Sequence, residues 1–152
     1  MEIEIVEKQN QSLVAYKDGV LLFYSTFKSN WFSRIIKIYN PYDVLVLELK
    51  DDAFFYEILH QNNFMTKHIS KISKEAVIFS NGKRLFTKSA YFITINNNNF
   101  NYFFEGSKIA QVKQKIISFS TKFLLTVNDE NFEFTDQIIF HVLSIKAGFS
   151  ID

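Results

Sequence analysis

The sequence contains no cysteine, one proline and only four glycines among its 152 residues. The lack of cysteine excludes disulfides, thiolate nucleophiles, iron–sulfur clusters and cysteine-based zinc sites, and it is typical of a reducing compartment. With so few glycines, a backbone cradle for phosphate is hard to build. No glycine-rich phosphate loop, His-Glu-x-x-His or Gly-x-Ser-x-Gly motif occurs. The familiar catalytic and nucleotide-binding motifs are therefore absent.

The chain also lacks an excess of charge and a long hydrophobic run. Its 17 Lys and Arg stand against 16 Asp and Glu, a net charge of +1, which does not favour nucleic acid as a partner. The most apolar stretch, Ile138 to Ile145, is far shorter than the ~20 residues of a membrane-spanning helix. Met1 to Lys8 carries acids where a secretory signal has a basic start. We expect no transmembrane segment and a cytoplasmic location, with peripheral contact at the inner membrane surface left open.

Enough apolar residues are present for one domain spanning residues 1–152. Apolar residues make up 47% of the chain and charged residues 22%, a balance that argues against disorder. The 18 Phe and 7 Tyr, together with Ile and Val, suit pleated sheets. The composition therefore favours a mostly β protein.

Short apolar runs separated by turn signals recur along the chain, at a spacing typical of a meandering sheet, barrel or sandwich. One run, Val44 to Leu49, is apolar on nearly both faces and predicts a strand covered on both sides. Asn81-Gly82 is the sharpest turn signal and predicts a two-residue hairpin. Besides that run, we expect strands at Glu2 to Val6, Val20 to Thr26, Trp31 to Tyr39, Ala53 to Leu59, Glu75 to Phe79, Leu85 to Thr87, Tyr91 to Ile95, Phe100 to Phe104, Lys108 to Val112 and Ser118 to Val127.

The end of the chain predicts a short helix. Thr135 or Asp136 can cap its start, Ile138 to Ile145 supplies the apolar residues, and Gly148 can take the left-handed stop. The apolar residues cover nearly the whole circumference, which predicts burial on all sides. The fold class we expect is therefore a closed antiparallel β-barrel wrapped around a buried apolar C-terminal helix.

This arrangement is similar to the tubby C-terminal fold and its LURP-one-related relatives, a superfamily that includes the phospholipid scramblases. The segments that carry the resemblance are Tyr16 to Phe23, Glu105 to Lys115, and Asp136 to Ile145 with Ile151-Asp152 behind it. The resemblance implies a single tubby-like domain, a barrel of about twelve strands around a central helix, used for binding. In animal tubby proteins the bound partner is a phosphoinositide headgroup held by Lys and Arg. The cysteine-rich stretch of the scramblases has no counterpart here.

Local charge is more informative than net charge. No acid lies between Glu105 and Asp129, and this segment contains four lysines. We take them as the candidate ligand-binding residues: Lys108, Lys113, Lys115 and Lys122. Two of them stand two positions apart, at 113 and 115, so on a strand they point the same way. The alternative is an ordinary solvated strand face on which lysines blunt an exposed sheet surface.

A second acid-free segment, between Glu57 and Glu75, contains the cations Lys67, Lys71 and Lys74. The sequence leaves open whether the two basic segments share one surface.

The candidates for catalysis and metal binding have structural explanations. His141 falls within the apolar helix, where a neutral, hydrogen-bonded imidazole is the ordinary case. Glu57 and His60 have a spacing used in carboxylate-bridged metal bundles, but the pattern occurs once and on a predicted strand. The acids from Asp129 to Asp136 suit the start of the helix better than a calcium loop. We expect no catalytic residue, no metal and no cofactor, and hence no enzyme.

The sequence therefore predicts a non-enzymatic binding domain. Its partner is an anionic phospholipid headgroup or an acidic protein, bound through the basic strand face. A barrel that carries a small apolar ligand is the first alternative, and it requires a hollow interior. An enzyme of unrecognised type ranks last, and it requires polar groups that converge in a deep cleft. Trp31, in a predicted loop after Lys28, is the aromatic residue best placed for insertion at a membrane interface. The sequence does not assign an oligomeric state.

Overall fold

A computed structural model describes residues 1–52, 55–89, 99–117 and 120–147 of the chain. The strands β1 to β12 span Glu2–Glu7, Leu13–Lys17, Val20–Ser29, Arg34–Tyr39, Leu45–Asp52, Phe55–Gln61, Ile69–Ser73, Ala76–Phe79, Arg84–Ser89, Phe100–Phe104, Ser107–Ile117 and Ser120–Val127. They form one closed antiparallel barrel in which strands consecutive in sequence are neighbours, and β1 closes the circle against β12. The predicted fold class is confirmed.

Helix α2 (Thr135–Ile145) fills the barrel, and a short helix α1 (Asn63–Thr66) joins β6 to β7. Ile138, Ile139, Phe140, Val142 and Leu143 of α2 are all fully buried. The inward residues of the surrounding strands pack against them in one continuous core. The prediction of a helix buried on all sides is therefore confirmed, and Ile145 is its last residue.

The barrel has two rims, because the strands alternate in direction. At the upper rim lie the connections after β1, β3 and β7, which are residues 8–12, 30–33 and 74–75. At the lower rim lie residues 18–19, 40–44, 80–83 and 105–106. Helix α2 starts at the lower rim, where the Gln137 side chain donates to the Met65 carbonyl, and ends at the upper rim, where the Tyr56 hydroxyl donates to the Ser144 carbonyl.

Several predicted strand boundaries differ from the structure. Strands β2 and β7 have no counterpart among the predicted strands, and the strand predicted from Trp31 begins only at Arg34. Strand β11 continues beyond Val112 to Ile117, and this extension adds Lys113 and Lys115 to Lys108, so the strand includes three of the four candidate lysines. The predicted strand Tyr91 to Ile95, the Gly148 stop and Ile151-Asp152 lie outside the described residues.

Two local predictions are corrected. The Asn81-Gly82 turn joins β8 to β9 as a longer loop, in which the Gly82 amide donates to the Phe79 carbonyl and only Gly82 takes a positive φ, +84°. The run from Val44 to Leu49 is not covered on both sides along its length, since Val44 is exposed in the connection before β5 and the outward residues Glu48 and Lys50 of β5 are only half-buried. Val46 and Leu47 are both buried because the pairing with β4 shifts by one residue between Ile38 and Tyr39.

Polar contacts fix α2 inside the apolar barrel. The His141 Nε2 lies 2.9 Å from the Ser73 carbonyl oxygen, which can only accept, so Nε2 carries the proton. The His141 Nδ1 then accepts from the Tyr102 hydroxyl at 2.6 Å. Burial lowers the pKa of His141 from 6.5 to about 4, since no water is available to stabilise the imidazolium. Both ring nitrogens of this neutral histidine are thus used to position the helix.

This buried histidine makes the fold sensitive to acid. The unfolded chain protonates His141 near pH 6.5 and the folded chain only near pH 4. The free energy of unfolding should therefore fall as the pH drops from 6.5 to 4, by up to about 3 kcal/mol from this residue. Urea unfolding across that range should give a flatter pH profile for His141→Gln, which can donate and accept but does not titrate. An identical profile in the variant would show that His141 does not control acid sensitivity.

Substitution within α2 should also be costly. Phe140 is fully buried and its ring meets that of Phe23 edge-on, with 4.8 Å between centroids. We expect Phe140→Ala to lower the free energy of unfolding by about 3 to 5 kcal/mol, since it leaves a cavity in a closed core. Phe64→Ala is the matched control, because Phe64 is 94% exposed. A similar small loss in both variants, measured by urea unfolding, would contradict the interior position of α2.

Candidate functional site

The predicted lysine pair lies on the outer surface of the barrel. Lys113 and Lys115 are exposed on β11, and Val112, which alternates with them, is fully buried. Side chains on a strand point alternately to opposite faces. Both lysines therefore face solvent on the same side, as their spacing predicts.

Lys122 joins this pair from the neighbouring strand. It lies directly opposite Lys115 in the pairing of β11 with β12. Like charges at opposed positions destabilise a sheet. Lys122 is also ion-paired with Glu4 of β1, which offsets part of that repulsion. The three lysines, at 113, 115 and 122, form one cluster near the upper rim.

Lys108 lies on the same face but outside this cluster. A bulge in the pairing of β10 with β11 leaves Ile109 and Ala110 both buried, and so returns Lys108 to the outer surface. Its Nζ contacts Oε1 of Gln111 at 3.2 Å. Seven strand positions separate Lys108 from Lys115, roughly 20 Å along the strand. The four predicted lysines therefore share a face, but only three of them are close together.

An aromatic and cationic patch next to β11 was missed by sequence reasoning. The rings of Phe86 on β9 and Phe103 on β10 are stacked, with 5.6 Å between centroids. The Lys88 Nζ lies 5.6 Å and 5.3 Å from the two ring centroids, and Arg84 lies 5.9 Å from that of Phe86. Contacts of this length allow cation–π attraction, which holds both cations over the outer surface.

Together these residues form a basic face on the outer side of the four adjacent strands β9 to β12. Its cations are Arg84, Lys88, Lys108, Lys113, Lys115 and Lys122. None of the residues within these four strands is Asp or Glu. A signal for the whole face was present in the sequence, since Glu105 is the only acid between Glu75 and Asp129.

The second acid-free segment does not form a comparable surface. The Lys67 Nζ donates to the Glu133 carbonyl at the lower rim, at 2.7 Å. Lys71 lies over the Phe55 ring, 5.5 Å from its centroid, whereas Lys74 is ion-paired with Asp51 near the upper rim. These three lysines are therefore dispersed over the barrel.

An open cleft of about 450 Å³ lies at the lower rim. Phe79, Phe104 and Phe134 form much of its apolar wall. Its lysines already have partners, because Lys67 donates to a backbone carbonyl and Lys83 is ion-paired with Glu105 at 3.3 Å. An anion entering this cleft would have to displace those contacts. On the basic face Lys122 is paired in the same way, but Lys113 and Lys115 form no ion pair among the described residues, so that face offers the better anion site.

The histidines do not assemble into a reactive centre in the described structure. His60 and His68 are exposed, and both ring nitrogens of His141 are occupied within the core. Within the described ranges, no group of three or more His, Asp or Glu side chains could hold a metal ion. Glu57 and His60 are accordingly not part of a metal-binding cluster there.

Among the helices of the described chain, none combines the length and the apolar character needed to cross a bilayer.

Comparison with family models, with curated proteins and with solved structures finds no match to this chain. The barrel and its surface are therefore the basis on which a function can be inferred.

Proposed function

We propose that the chain is a non-enzymatic binding domain that docks on anionic lipid headgroups through the basic face. The observation that carries this proposal is the charge separation on the four strands β9 to β12, which hold six cations and no carboxylate. Opposed Lys115 and Lys122 repel each other in the free protein. Glu4 offsets part of that repulsion at Lys122, whereas Lys115 forms no ion pair among the described residues, so an anion bound beside Lys115 would relieve the remainder. The arrangement therefore favours a negatively charged partner.

The expected affinity is weak and depends on salt. Each Lys or Arg near an anionic membrane contributes on the order of 1 kcal/mol, and the attraction fades within a Debye length, about 8 Å at physiological ionic strength. Several cations must therefore act together. The cluster of Lys113, Lys115 and Lys122 supplies three of them on two paired strands.

The alternative function, a carrier of a small apolar ligand, has less support. A carrier needs space inside the sheet, and α2 occupies the interior of the described barrel with fully buried side chains. We also propose that the chain is related to the tubby-like and LURP-one-related proteins, and that it works in the cytoplasm at the inner membrane surface. The barrel around a C-terminal helix is the architecture that this relationship implies.

Vesicle co-sedimentation tests the proposed lipid binding. Vesicles of phosphatidylcholine with phosphatidylserine should retain the protein at low ionic strength and release it at high ionic strength. Lys113→Glu/Lys115→Glu should weaken binding by at least roughly 30-fold, since two favourable charges become unfavourable. Both side chains are exposed, so the fold should be unaffected.

Lys17→Glu/Lys71→Glu is the matched control for that variant. It changes the net charge equally, but on β2 and β7, away from the basic face and from the upper rim. Equal losses in the two variants would mean that only net charge matters and would contradict the assigned face. If the unaltered protein does not sediment with anionic vesicles at low ionic strength, lipid binding is wrong and an acidic protein becomes the better candidate for the same face.

A further inference from the structure

The connection between β3 and β4 places two large aromatic side chains in solvent. Trp31 is 97% exposed and Phe32 is 96% exposed, at the upper rim of the barrel. Scattered single apolar residues are common on protein surfaces, but two adjacent aromatics at a hairpin tip form an apolar projection. Neither ring packs against the hydrophobic core.

Asn30 holds the tip in one conformation. Its side-chain Oδ1 accepts from the Phe32 amide at 2.9 Å, from the Ser33 amide at 2.7 Å and from the Ser33 hydroxyl at 3.1 Å. The Asn30 amide in turn donates to the Ser33 carbonyl at 2.9 Å. These backbone groups are satisfied within the turn, so they need not lose hydrogen bonds to water when the tip enters a less polar medium.

The tip is flanked by positive charge. Lys28 precedes it on β3 and Arg34 follows it on β4, and both are exposed. No acid occurs in the sequence between Asp18 and Asp43, the whole length of this hairpin. Aromatic rings between cations are typical of segments that rest at an anionic membrane interface, where the rings enter the headgroup region and the cations meet the phosphates.

The lower rim offers an informative contrast. It also exposes aromatics, including Tyr42 at 86% and Phe132. There, however, Tyr42 is followed directly by Asp43, and Phe132 lies between Glu130 and Glu133. An anionic surface repels such carboxylates.

The upper rim also carries Asp51, Asp52 and Glu75, but Asp51, the acid nearest the tip, is ion-paired with Lys74 and lies opposite Arg34. Phe64 at the lower rim has no acid beside it, but it is a single ring and not an adjacent pair. The paired rings and the flanking cations together therefore favour the upper rim.

We propose that Trp31 and Phe32 form an anchor that inserts into the interface of an anionic bilayer, with the upper rim of the barrel facing the membrane. This inference rests on the proposed lipid binding and adds the orientation to it. Going round the barrel, β2 and β1 separate β3 from β12, so the anchor and Lys122 are about three strand spacings apart, roughly 15 Å. Lys115 and Lys122 can therefore approach the headgroups while the anchor inserts, whereas Lys108 points away.

Tryptophan fluorescence tests the anchor directly, because Trp31 is the only tryptophan in the chain. With vesicles of phosphatidylcholine and phosphatidylserine, the emission of Trp31 should shift to shorter wavelength, and brominated acyl chains should quench it. Phe32→Ser should weaken vesicle binding by roughly tenfold or more, since one inserted ring is lost. Phe64→Ser, which removes an equally exposed ring at the other end of the barrel, should bind as the unaltered protein does.

The outcomes separate this inference from the proposed lipid binding. Co-sedimentation without any change in Trp31 emission would overturn the anchor and leave headgroup binding in place. A blue shift with neutral vesicles as large as with anionic ones would support the anchor and contradict the anionic preference. Absence of vesicle binding would overturn both. A Trp31 shift that depends on protein concentration without lipid would assign the tip to contact with a second copy and overturn membrane insertion.

Discussion

The enclosure of α2 by the sheet is the constraint on which the other features depend. A barrel of eight strands can be filled by its own inward side chains, but a wider one leaves space that must be occupied. Here the apolar helix occupies it, and the Tyr102–His141–Ser73 hydrogen bonds set its rotation and depth. The sheet has no free edges because it closes, and it closes around this helix.

With the interior full, recognition is left to the exterior and the rims. The net charge of +1 conceals an uneven distribution. Cations without intervening acids line the outer side of β9 to β12 and the β3–β4 hairpin, whereas acids gather at the lower rim around Asp129 to Asp136. The protein is therefore better described by the positions of its charges than by their sum, and a partner meets a different chemistry at each end.

The sequence predicts those features that depend on local periodicity. The apolar residues around the circumference of α2 are buried in the structure, and Lys113 and Lys115, two positions apart, face the same side of β11. Features that depend on how the strands pair with one another are not predicted by local periodicity. Strand β7 was missed because a bulge spaces its inward residues, Ile69 and Ile72, three apart. Trp31 lies in a loop after Lys28, as predicted, but the strand predicted from Trp31 begins three residues too early. Nothing in the identity of Trp31 and Phe32 shows that the Asn30 side chain has already closed the turn.

The pairing of β1 with β12 orders the events of folding. Ile5 is paired with Phe123, so the first strand of the barrel must wait for the last one before its free edge is covered. The helix that fills the interior follows later still in the chain. Closing so distant a contact carries a large entropic cost, and it makes folding slow compared with that of a helical protein of the same length. Until then β1 is an open edge, whose unpaired backbone groups can pair with a strand of another chain.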